Sequence, residues 1–71
     1  MSVTKIITQR LTDTGITKTE LAKLMGISKQ NLWNKFDRDN FTTQELERIC
    51  TLLDMKLIAH GNDGKQYKIE Y

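Results

Sequence analysis

The chain has 71 residues, which is enough for one small domain with a modest hydrophobic core. Apolar residues make up 38% of the sequence, proline is absent and glycine occurs only four times, so low-complexity disorder is not expected. No apolar run approaches the roughly 20 residues of a membrane-spanning helix, and none has the pattern of a secretory signal. We therefore expect a cytoplasmic protein that does not bind membranes.

The residue types needed for metal binding or catalysis are scarce. Cys50 is the only cysteine and His60 the only histidine, which excludes an internal disulfide and a zinc site. The sequence also lacks a glycine-rich phosphate loop after a strand and a nucleophile with a nearby base. We expect no metal, no cofactor and no enzymatic activity, with Cys50 a buried, unreactive thiol and His60 a surface residue.

The basic residues are concentrated in the first half of the chain. Residues 1–36 contain six basic and two acidic side chains, a net charge of +4, whereas residues 37–71 contain five and seven, a net charge of −2. This asymmetry fits a polyanion as the partner. The charge alone is explained better by ordinary solvated lysines, and it does not by itself indicate a polyanion partner.

Two amphipathic helices are predicted in the first 26 residues. The first covers about residues 3–13, with Gly15 as its C-terminal stop. Its apolar stripe is Val3, Ile6, Ile7 and Leu11. A capping box of Thr17 and Glu20 opens the second helix, and Gly26 ends it. The apolar side of the second helix is Leu21, Ala22, Leu24 and Met25.

A third helix follows immediately, with Ser28 as its N-cap. At about 100° per residue, the inward face is defined by Ser28, Leu32 and Phe36. Gln30 and Asn34 then point away from the core, one helical turn apart, and Trp33 lies on the flank between the two faces. The third helix is therefore apolar inside and polar outside.

The remaining residues predict a fourth helix and a hairpin. A second capping box over residues 42–45 opens the helix. Its buried stripe is Leu46, Ile49, Cys50 and Leu53, with Glu47 and Arg48 outside. Residues 56–60 and 66–71 alternate as strands do, and Tyr67, Ile69 and Tyr71 would share one face. A three-residue Asn-Asp-Gly loop would pair Ala59 with Tyr67 and Leu57 with Ile69.

Residues 17–36 resemble the helix-turn-helix of the phage-repressor family, the Cro-like or XRE-like group. The matching features are Leu21-Ala22, Gly26-Ile27-Ser28 and Leu32, at buried and turn positions. Residues 31–41 are further similar to small members of phage or mobile-element origin. The resemblance implies a mainly α fold: a compact, four-helix, lambda-repressor-like domain at residues 1–54, with a C-terminal β-hairpin at 55–71 in the same unit.

The resemblance also implies which residues contact double-stranded DNA. Base contacts would come from Ser28, Lys29, Gln30 and Asn34, whose donors and acceptors suit adenine and guanine. Backbone contacts would come from Thr17, Lys18, Trp33, Lys35, Arg38 and Asn40, assisted by the N-terminal N–H groups of the second helix. Trp33 has three interpretations, which are partial packing against the domain, contact with sugar-phosphate or a thymine methyl group, and contact with a partner.

Two features depart from the family pattern. The family often has an apolar residue where this chain has Lys35, with Phe36 next, so the apolar anchor is expected to be shifted by one residue. Asp37 and Asp39 follow the third helix, where they would repel phosphate unless groove curvature carries them clear or Asp37 orients Arg38.

The favoured hypothesis is a sequence-specific DNA-binding protein, a transcriptional repressor or related regulator, that inserts residues 28–36 into the major groove. It would act at the nucleoid as a homodimer, with the hairpin as the candidate dimerisation element, because an isolated hairpin leaves an apolar face and two edges uncovered. The alternative is a protein-interaction module with the same fold, either antitoxin-like or a recombination accessory factor.

Overall fold

Four helices and one two-stranded antiparallel sheet make up residues 2–69, the part of the chain that the computed structural model describes. In chain order they are α1 (Val3–Thr14), α2 (Lys18–Met25), α3 (Lys29–Arg38), α4 (Thr43–Leu52), β1 (Ile58–His60) and β2 (Gln66–Lys68). The predicted mainly α class, with a helix-turn-helix and a C-terminal hairpin, is confirmed. Internal contacts divide the chain into two units, residues 1–41 and 42–71.

The first unit contains α1, α2 and α3, and its helix ends follow from local sequence. Ser2 caps α1 by accepting a hydrogen bond from the Lys5 N–H at 3.2 Å. Gly15, in the left-handed conformation, ends α1 as predicted. The last residue of the helix is Thr14, one residue later than expected. The buried side chains of this unit are Ile7, Leu11, Leu21, Ala22, Leu32 and Phe36.

Helix α3 is anchored by Leu32 and Phe36, which are both buried as predicted. The Phe36 ring meets the ring of Phe41 edge-on, with 5.6 Å between centroids. Lys35 is only partly buried, so the apolar anchor does lie one residue later than in the family pattern. Ser28 is exposed, contrary to its placement on the inward face. As the N-cap it has extended backbone angles, so the helical projection does not apply to it.

The second unit begins with the capping box of α4, which is confirmed. The Thr42 N–H donates to the Glu45 carboxylate at 2.8 Å, and the Glu45 N–H donates to the Thr42 hydroxyl at 3.1 Å. Ile49 and Leu53 are buried. Leu46 and Cys50, however, are only half-buried. Partial burial raises the pKa of the Cys50 thiol, and the nearby Glu47 carboxylate raises it further by a smaller amount. The thiol therefore stays protonated.

The hairpin has the predicted register. Ala59 pairs with Tyr67, and the Ile69 N–H donates to the Leu57 carbonyl at 2.8 Å. The loop is residues 62–64, closed by a 2.7 Å bond from the Gly61 N–H to the Lys65 carbonyl, with Gly64 left-handed.

The strands are shorter than predicted, at three residues each. Strand β1 starts later than predicted because the chain is still leaving α4. Asp54 is left-handed there, and the Met55 N–H still bonds the Cys50 carbonyl at 2.7 Å. Tyr71 lies outside the described residues. His60 is exposed, as expected.

Candidate nucleic-acid interface

The α2–turn–α3 unit is fixed by local hydrogen bonds. The Glu20 N–H donates to the Thr17 hydroxyl at 3.1 Å, and the Thr17 N–H donates to the Glu20 carboxylate at 3.3 Å. Gly26 is left-handed with φ +72°, and the Ile27 N–H bonds back to the Ala22 carbonyl at 3.1 Å. The predicted capping box and glycine turn are both confirmed. They determine where α2 ends and where α3 begins.

The N-terminus of α3 is capped by the exposed Ser28, which accepts from the Asn31 N–H at 3.1 Å. Lys29 is exposed beside it. Gln30 and Asn34 are also exposed, and the Gln30 Nε2 donates to the Asn34 Oδ1 at 3.0 Å. The predicted outward line is therefore present as a hydrogen-bonded amide pair. This bond leaves one N–H and the carbonyl of Gln30, and the NH₂ group of Asn34, directed to solvent.

One flank of α3 forms a basic and amide-rich recess of about 180 Å³. We call it the basic recess, and its lining residues are Asn31, Asn34, Lys35, Arg38 and Asn40. The predicted backbone contacts Lys35, Arg38 and Asn40 are thus brought together. Asn31 was not predicted as a site residue. Its signal was available, since spacings of three, four and seven to Asn34, Lys35 and Arg38 place all four on one side of a helix.

Lys18 and Thr17 lie at the start of α2. The Lys18 ammonium is 4.7 Å from the centre of the Phe36 ring, a cation–π contact. Lys18 therefore has a structural role in fastening α2 to α3, in addition to the predicted phosphate contact. The Thr17 hydroxyl and the Thr17 N–H are both occupied by the capping box, so an anion at this helix end would meet the backbone N–H groups of the residues that follow Thr17.

Asp39 is held away from the outward line by α1. It ends α3 in the left-handed conformation, with φ +50°. Its carboxylate accepts from the Thr4 backbone N–H at 2.9 Å and from the Thr4 hydroxyl. These two bonds lower the pKa of the Asp39 carboxyl, and the bond from the Thr4 hydroxyl has the larger effect. The carboxylate thus connects the end of α3 to the first turn of α1, where negative charge is favourable.

The Asp39 contact predicts a pH-dependent loss of stability. Because its pKa is lower in the folded state, its contribution is fully present above the unfolded value of about 3.9 and is lost as pH falls through the folded value. We expect Asp39→Asn to lower the urea midpoint at pH 7 and the difference from wild type to shrink below pH 4. Asp37→Asn, at an exposed carboxylate two residues earlier, is the matched control. Equal effects of the two changes would contradict this role.

Within residues 2–69, no helix is long and apolar enough to cross a bilayer. In the same range, no group of three or more histidine, cysteine, aspartate or glutamate side chains is arranged to hold a metal ion.

Comparison with models of known protein families gives a match. The model of a family described as the Cro/C1-type helix-turn-helix DNA-binding domain matches residues 7–58. No curated protein and no solved structure gave a significant match to the chain. The family match covers well over half of the sequence and includes all of α2, the turn and α3. The chain therefore belongs to the family of Cro/C1-type helix-turn-helix DNA-binding domains.

Proposed function

We propose that this protein binds specific sequences in double-stranded DNA by inserting α3 into the major groove. It would act at the nucleoid as a transcriptional regulator, a repressor of phage or mobile-element type. The observation that carries the proposal is the exposed amide pair of Gln30 and Asn34, bordered by the basic recess. Amides at the centre of a helix and cations at its edge match base edges and the phosphate wall of a major groove.

The polar groups left on the amide pair suit adenine. Adenine presents an acceptor at N7 and a donor at N6, and a side-chain amide can satisfy both. Gln30 retains both kinds of group after donating to Asn34. Lys29, one residue earlier and exposed, would bond guanine, and Ser28 would contact a base at the N-terminus of the helix.

Phosphate contacts would come from both helices of the motif. Arg38 and Asn40 line the basic recess together with Lys35, so one phosphate group could bond several of them. Across the turn, Thr17 and Lys18 lie at the N-terminus of α2, where backbone N–H groups favour an anion. This set supplies affinity and orientation, and the amide pair supplies sequence preference.

Selection of bound duplexes from a random DNA pool, followed by a salt titration on the selected duplex, tests the proposal. We expect one preferred sequence, and affinity that falls steeply with salt, because several phosphate contacts release counterions. An unselective pool, or affinity independent of salt, would overturn the proposal.

The alternative of a protein-interaction module, antitoxin-like or a recombination accessory factor, predicts an unselective DNA pool and a contact with its protein partner that depends little on salt. The two carboxylates after α3 would favour this alternative, because they repel phosphate. Since Thr4 binds the Asp39 carboxylate, only Asp37 remains on that surface as an unexplained acidic group. The DNA-binding proposal is therefore better supported.

We further propose that the protein binds DNA as a homodimer through its hairpin, because one small domain contacts few base pairs. Tyr67 is 58% exposed, and Ala59 beside it is also exposed, so this face has apolar area for a second copy.

We expect Tyr67→Lys to reduce dimer formation and to weaken DNA binding about tenfold or more, without changing the preferred sequence. Sedimentation and binding titrations measure the two effects. Gln66→Lys, next to it on the opposite face, is the control, and an unchanged dimer in Tyr67→Lys would contradict the assignment.

A further inference from the structure

Trp33 is a large apolar side chain exposed on α3 beside the amide pair. It is 39% exposed. At about 100° per residue it lies about 60° around the helix from Gln30. Within residues 2–69 its indole N–H has no hydrogen-bond partner. A molecule bound against α3 could therefore contact the indole, and this contact would remove apolar area from water.

The two flanks of α3 differ in chemistry. One is the basic recess with Arg38, which suits phosphate. The other carries Trp33, and the exposed carboxylate of Asp37 lies one turn later, between Trp33 and the line of Gln30. A carboxylate repels phosphate, so this second flank is poorly suited to the DNA backbone. The apolar group that the major groove offers to such a flank is the 5-methyl group of thymine.

We propose that Trp33 is a specificity-determining residue that contacts the 5-methyl group of a thymine beside the base pair bound by Gln30. The inference rests on the proposed function, because it presupposes α3 in the major groove. The contact would add a preference that hydrogen bonds cannot supply. The methyl group distinguishes thymine from cytosine by shape, whereas the amide pair distinguishes bases by their donors and acceptors.

Uracil tests the contact directly, because it differs from thymine only by lacking the 5-methyl group. In the selected duplex, each thymine is replaced by uracil one at a time, and the dissociation constant is measured. At one position we expect affinity to fall about three- to fivefold, the loss that corresponds to one buried methyl group. In Trp33→Ala the thymine and uracil duplexes should bind equally at that position. Ile6→Ala, which removes another exposed apolar side chain from a different helix, should keep the preference.

Fluorescence gives a second readout, since Trp33 is the only tryptophan. Binding of the selected duplex should change its emission and protect it from quenching by acrylamide, and the uracil duplex should protect it less. Should Trp33→Ala lose helical circular dichroism, Trp33→Gln, a long polar replacement, takes its place. The inference would be overturned if uracil left the affinity unchanged at every thymine, or if the Trp33 variant lost as much affinity on uracil substitution as the wild type does. DNA binding itself would be unaffected by either result. Failure of the proposed function looks different, because the wild type would then select no sequence.

Discussion

Leu32→Ala is expected to lower the free energy of unfolding by about 2–5 kcal/mol. Leu32 is fully buried, at 0% exposed, and it anchors α3 in the first unit. Removing three side-chain carbons there loses the transfer free energy of a leucine and leaves a cavity that the surrounding helices fill only partly. A chain of 71 residues has a total stability of roughly 4–11 kcal/mol at typical values per residue, so the variant would lose a large part of that stability and would unfold at the lower end of the range.

The matched control is Leu24→Ala, the same chemical change on α2, where the side chain is 47% exposed. We expect a loss of about 1 kcal/mol or less there, because half of the leucine already contacts water and alanine favours helix slightly. Urea unfolding followed by circular dichroism measures both variants. Similar losses at Leu24 and Leu32 would show that burial does not determine the stability of α3.

The features that could be predicted from sequence are those whose causes are local. The capping boxes at Thr17 and Thr42 need only residues three apart, and both are present. The left-handed Gly26 follows from the lack of a side chain at a helix end. The hairpin register follows from the alternation of apolar residues and from the loop length, and its Ala59–Tyr67 pair is confirmed.

The features that could not be predicted depend on residues distant in sequence. The Asp39 carboxylate bonds Thr4, 35 residues earlier, and no pattern within a helix specifies that partner. The Lys18 contact with the Phe36 ring likewise depends on how α2 and α3 cross. Helix α3 ends at Arg38, where Asp39 takes a left-handed conformation that glycine or asparagine usually adopts, so the residue type at that position did not predict the end.

For the candidate site, sequence reasoning identified the outward face of α3 but not how its side chains are arranged on it. Gln30 and Asn34 were placed correctly by the helical period, because that period is a property of the backbone. The bond between their amides, and the role of Asn31 in the basic recess, depend on side-chain conformations that the period does not determine.

On the selected duplex, Gln30→Ala and Asn34→Ala are each expected to remove about 1–3 kcal/mol of discrimination, about five- to 150-fold, at one base pair. The two pairs should be neighbours, because the residues are one turn apart on the same line. The effects should also be non-additive. Since the Gln30 amide donates to Asn34 at 3.0 Å, removing either side chain frees the other, and the double variant should lose less than the sum.

Arg38→Ala separates specificity from affinity in the same assay. As a phosphate contact, Arg38 should weaken binding by a similar factor on every sequence and reduce the slope of affinity against salt by about one unit. If the amide variants instead weakened all sequences equally, as Arg38→Ala is expected to, the amide pair would face phosphate and not bases. Additive losses, with discrimination still confined to two base pairs, would place Gln30 and Asn34 at independent contacts. Their mutual hydrogen bond would then be broken when DNA binds.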